Sequence, residues 1–214
     1  MARKKQLKLD EVVTLPNVFS ADDENVSEKI KEYFNNGKKF TLELGCGNGD
    51  YTTSLAAQYP DKNFIGVDRK GNRIWTGSKN SLQADFKNAA FLITAIERID
   101  KIFDENSVGE IWITFPDPYP RRSSMHKRLV HPLFLALYEK IITPGAKINL
   151  KTDDDTLYEY AVQIVAQNNY KLHKSTANLY DGSELTNEEN IQTKYEKNHL
   201  KEGKTIKFIS FSLA

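Results

Sequence analysis

Residues 43–50 read Glu-Leu-Gly-Cys-Gly-Asn-Gly-Asp. Gly45, Gly47 and Gly49 recur at every second position, a spacing that lets a backbone turn sharply and come close to a ligand. The dinucleotide fingerprint G-x-G-x-x-G requires glycine where this chain has Asp50. Glu43 is a second departure, because a carboxylate just ahead of the loop repels a pyrophosphate and attracts a cationic amino-acid group. Asp68 follows about 20 residues on, where a carboxylate takes both hydroxyls of a ribose. An amino acid and a ribose without phosphates describe S-adenosyl-L-methionine. Gly45, Gly47, Gly49, Glu43 and Asp68 are its candidate binding residues.

A third acid, Asp117, sits in Phe-Pro-Asp-Pro-Tyr-Pro (115–120). The flanking prolines stiffen the chain and aim a carboxylate into the same crevice, beside the methyl group to be transferred. Arg121, Arg122, His126, Lys127 and Arg128 follow as an electropositive rim with Tyr119 interleaved, which points to a polyanionic substrate. Arg3, Lys4, Lys5 and Lys8 form a second basic cluster, so a net charge of +1 conceals local basic surfaces. Cys46 is the single cysteine. It excludes an internal disulfide and a cysteine-cluster metal site, and no metal is expected. Lying in the cofactor loop, it reads as a packing residue, which closes the 5-methylcytosine route that needs a thiol nucleophile.

These residues must be held by a scaffold. Short apolar runs at 40–44, 63–68, 89–94, 108–115 and 146–153 alternate with helical patterns from residue 40 to about 168, predicting a parallel sheet flanked by helices. Two further strands, 171–180 and 204–214, show no helical pattern between them and are expected to pair antiparallel as an edge hairpin. The expectation is an α/β, doubly wound, mostly parallel seven-stranded sheet. Residues 1–22 read as a basic, partly ordered arm, and 23–214 as one domain. No run reaches the length of a membrane span, and the N-terminus lacks the apolar core of a signal peptide. A cytoplasmic monomer or homodimer without membrane contact is expected.

The ordered series LELGCGNGDY, FIGVD, FPDPYPRR…KRL, LKTDDDTLYEY and TKYEKNHLKEGKTI resembles the tRNA (guanine-N7-)-methyltransferases of the TrmB type, from about residue 40 to the C-terminus. The resemblance implies a Rossmann-type methyltransferase that uses S-adenosyl-L-methionine on N7 of a guanine in the tRNA variable loop. It assigns Glu43, Asp68 and Asp117 to the cofactor site, with Asp117 also catalytic or substrate-binding. It places Arg121, Asp153, Thr193, Lys194, Tyr195 and Glu196 against the substrate. Arg122, His126, Lys127 and Arg128 are left as candidate RNA-backbone contacts. Three positions depart from the family pattern. Tyr119 replaces the usual Trp or His, Ser123 and Ser124 replace a basic residue and a histidine, and Thr94 stands where an Asp or Asn usually meets the cofactor's base.

Guanine N7 carries a free lone pair, so no proton must leave before attack. Asp117 and Asp153 are expected to bind the guanine edge, and Tyr119 or Tyr195 either stacks on the base or packs under its loop. Three rivals stand beside this reading. An amine methyltransferase is suggested by the likeness of FPDPYP to D/N-P-P-Y/F, whose residue order differs. A nicotinamide enzyme conflicts with the broken fingerprint and Glu43. An inactive RNA-binding relative draws on the Ser123, Ser124 and Thr94 departures.

Overall fold

A computed structural model describes residues 2–213, with side chains from residue 5 onward. Phe40–Leu44 (β2) and Asn63–Asp68 (β3) are buried at every position. Such runs, buried on both faces, belong in the middle of a sheet covered by helices. β2, β3 and Ala89–Ile93 (β4) pair in parallel. Val26–Phe34 (α2) precedes β2, and the crossovers are α3 (Asp50–Gln58) and α4 (Gly71–Gln83). Val108–Thr114 (β5) pairs in parallel with β2 from the other side and then with Ile142–Thr152 (β6). Pro132–Glu139 (α5) connects them, with His131 accepting from Leu133 N at its start. Asp155–Gln167 (α6) leads from β6, capped by Asp154, to Lys171–Thr176 (β7).

With Val18–Ser20 (β1) at one edge and Lys207–Ser212 (β8) between β6 and β7, the strand order is β1-β4-β3-β2-β5-β6-β8-β7. The chain runs outward from β2 in one direction, then resumes at β5 in the other. The crevice at the carboxyl ends of β2 and β5 is therefore the topological switch point where open α/β sheets bind ligands. The glycine loop leaves β2 at this point, and the Pro-Asp-Pro segment leaves β5.

Three features differ from the sequence expectation. The sheet has eight strands, because Val18–Ser20 (β1) adds in parallel to β4, and three residues are too few to display a period. Residues 2–12, read as arm, form a helix (α1), with Met1 outside the described residues. α1 lies on α4: Val12 is buried, Trp75 Nε1 donates to Glu11, Lys79 pairs with Glu11, and Lys8 Nζ stands 4.2 Å from the Trp75 ring centroid. The last two strands do pair antiparallel, but Lys194–Lys201 (α7) separates them, and Lys207–Ser212 (β8) inserts between β6 and β7. Among the described residues no helix is long and apolar enough to cross a membrane.

Candidate active site

The three loop glycines adopt φ values of +77°, +55° and +73°. A Cβ on Gly49 would lie 2.5 Å from the Phe91 ring, so this position needs glycine for packing as well as for its backbone. At Gly47 nothing lies within 4 Å of the Cβ position, which leaves the backbone open to a ligand. Asp68 Oδ2 accepts Gly47 N–H at 3.0 Å, and Oδ1 accepts Lys70 N–H at 2.8 Å. Each oxygen keeps a second lone pair, as a ribose diol requires. Thr94, at the end of the neighbouring strand, donates its N–H to Asp68 O and its hydroxyl to Ala95 O. An open glycine backbone beside a carboxylate with spare lone pairs fits S-adenosyl-L-methionine.

Glu43 lies beneath this loop, 3% exposed. Oε2 accepts the N–H and hydroxyl of Thr52, and Oε1 accepts the Thr114 hydroxyl at 2.8 Å. Burial pushes its carboxyl up to about 7 against the opposing pull of these hydrogen bonds. The side chain thus ties β2 and α3 to the last residue of β5. Burial, reinforced by Glu43 and Asp68, raises the Cys46 thiol well above its ordinary range, which leaves it a packing group.

β5 continues into Phe115 and Tyr119, whose φ values of +50° and +43° are unusual for large side chains. Phe115 N–H donates to Lys151 O, holding the loop to β6. Asp117, between the two strained residues, is exposed. Asp153 follows β6; its Oδ2 lies 2.8 Å from His199 Nδ1. Tyr195, 49% exposed on α7, packs against Phe115 with centroids 5.2 Å apart. Burial and then the carboxylates of Asp153, Glu202 and Asp117 raise its phenol, and the ring is tied to the Asp117 loop through Phe115 and to Asp153 through His199. Arg121, Arg122, His126 and Lys127 are exposed on and beside the short 3-10 turn Arg122–Lys127. Two acids and an aromatic ring thus converge beside the crevice, flanked by cations.

A family model described as "Putative methyltransferase" matches residues 37–209. The chain belongs to this methyltransferase family. A tRNA (guanine-N(7)-)-methyltransferase of Porphyromonas gingivalis is 47% identical over 183 residues, covering 85% of this chain and 74% of the relative. One from Bacteroides fragilis is 40% identical, covering 100% and 87%. Among solved structures, the 16S rRNA methyltransferase KamB superposes with a TM-score of 0.66 at 14% identity, over 87% of this chain and 93% of that one, a likeness of fold alone.

Two residues of this methyltransferase that the sequence offers to RNA are placed in its interior. Arg128 is 2% exposed; Nε and one terminal nitrogen donate to the carbonyls of Pro118 and Tyr119, and the guanidinium stacks on Tyr160. It holds the loop that carries Asp117 and is not a free cation. Glu196, with no exposed side-chain surface, pairs with equally buried Lys151 at 2.7 Å and accepts the Tyr180 hydroxyl. Burial lowers the Lys151 ammonium and Glu196 opposes that pull. Thr193 accepts Glu196 N–H as the cap of α7, and Lys194 is exposed beside it. Lys5 is exposed and Lys8 engages Trp75, while the side chains of Arg3 and Lys4 lie outside the described residues. Sequence reading missed Lys197 and Lys201, which are exposed and share a helix face with Lys194 at i, i+3 and i+7. A charge period in 194–201 was the available signal. Among the described residues no group of three or more His, Cys, Asp or Glu could hold a metal.

Proposed function

We propose that this chain transfers a methyl group from S-adenosyl-L-methionine to N7 of a guanine in the variable loop of tRNA, in the cytoplasm. The supporting observation is that Tyr195 packs on Phe115 of the Asp117 loop and on His199, the partner of Asp153, where β5 and β6 end beside the switch point. Bound donor supplies an electrophilic methyl carbon on a sulfonium. The residues of the chain orient, shield and stabilise. Gly47 leaves the backbone open and Asp68 offers its lone pairs to the ribose, while Glu43 holds the loop and β5 together from below.

N7 needs no general base, so the acids act in another way. As N7 accepts the methyl carbon, positive charge spreads through the purine. The carboxylates of Asp117 and Asp153 accept from the N–H groups of the guanine edge and stabilise that charge more in the transition state than in the neutral ground state. Half-exposed Tyr195 offers a ring on which a splayed base stacks. Arg121, Arg122, His126, Lys127 and the Lys194–Lys201 face contact phosphates. The test is radiolabelled methyl transfer to unmodified tRNA followed by mapping of the labelled base. Label at guanine N7 in the variable loop is expected. Label on an exocyclic amine, or none, rejects the reading.

A further inference from the structure

We propose that His199 is a positioning residue for methyl transfer, one imidazole that fixes both the substrate-facing carboxylate of Asp153 and the ring of Tyr195. The inference rests on the reading above, in which these two groups meet the guanine. His199 follows Tyr195 by one helical turn of α7, and their ring centroids lie 4.0 Å apart. Its Nδ1 is 2.8 Å from Asp153 Oδ2. A carboxylate only accepts, so Nδ1 carries the proton and donates. Lys204 Nζ lies 3.1 Å from the same nitrogen and 3.5 Å from the same oxygen, and with Nδ1 protonated it can serve only the carboxylate.

The consequence is an oriented acid. Asp153 Oδ2 is engaged by His199 and Lys204, and Lys207 Nζ donates to the Asp153 backbone carbonyl. Oδ1 makes no hydrogen bond among the described residues and remains as the acceptor for a guanine N–H. The Tyr195 ring in turn touches His199 and also Phe115, from the Asp117 loop, and stays half-exposed. The base of α7 is fixed independently by the Glu196–Lys151 pair, so His199 can be changed without removing the helix anchor.

Two variants separate the donor from the ring. His199→Phe keeps an aromatic face and loses the N–H, whereas His199→Asn places an amide N–H near the Nδ1 position and loses the face. Methyl transfer to unmodified tRNA, cofactor affinity and thermal midpoint are measured for both, alone and with Asp153→Asn. His199→Phe is expected to lower kcat/KM for tRNA about tenfold, with cofactor affinity unchanged, and His199→Asn to recover part of that loss. In the Asp153→Asn background the same change is expected to cost less than about twofold, because the bond it removes no longer orients a carboxylate. Equal losses in both backgrounds, or no loss, overturn the role while leaving the methyltransferase reading intact. A wild-type chain that methylates no tRNA sinks both.

Discussion

Replacing Glu43 by Gln isolates the energetic consequence of seating an acid beneath the glycine loop. Gln retains a carbonyl oxygen to accept from Thr52, and its amide donates to Thr114 once that hydroxyl turns to accept, so the packing of β2, α3 and β5 survives. Burial holds the native carboxyl at about 7 against an ordinary 4.5. Because the folded value is the raised one, the unfolded chain releases its proton first. The native state is therefore unpenalised below about 4.5, loses stability as pH rises towards 7, and carries the full cost above it. That gap, at about 1.4 kcal/mol per pH unit, corresponds to about 3 kcal/mol. Urea unfolding of both chains at several values between pH 5 and pH 8 gives the difference in stability, in which the other titrating groups cancel. Glu43→Gln is expected to gain about 2 to 3 kcal/mol on the wild type across that interval. A difference that stays flat with pH would show that Glu43 is ionised at no cost in the folded chain, and the burial argument would fail.

Lys151→Met leaves the Glu196 carboxylate buried without its partner and is expected to cost about 3 to 5 kcal/mol in the same urea assay; a loss under 1 kcal/mol would mean that the pair does not anchor α7. Arg121→Gln and Lys127→Gln are each expected to reduce the slope of log K against log salt for tRNA binding by roughly 0.7 to 0.9, as loss of one phosphate contact does. An unchanged slope in both would remove the 121–127 turn from the RNA interface.

What the chain discloses before folding depends on whether a residue's burial follows from its type. β4 is apolar through its length and β2 and β3 are mostly so, which let their places at the centre of a parallel sheet be read directly. α7 could not, because what it buries is the carboxylate of Glu196 and not an apolar stripe, although Thr193 and Glu196 have the spacing of a capping box. Arg128 and Arg121 look alike as residues. Only the folded loop offers the first the carbonyls of Pro118 and Tyr119 and the face of Tyr160, and so removes it from the set of free cations. The placement of the three glycines, Asp68 and Asp117 at strand ends was legible because each closes or follows a readable strand. The Asp153–His199 bond was not, since it joins residues 46 apart that meet only when β8 folds back beside β6.

Single-turnover methyl transfer by Asp117→Asn, beside equilibrium titration of S-adenosyl-L-methionine, examines the role of the exposed acid most directly. Loss of a carboxylate that acts on charge developing in the purine lowers the rate by about 10- to 1000-fold while the cofactor dissociation constant stays within about twofold. An unchanged rate, or a rate that falls only as far as cofactor affinity falls, contradicts it.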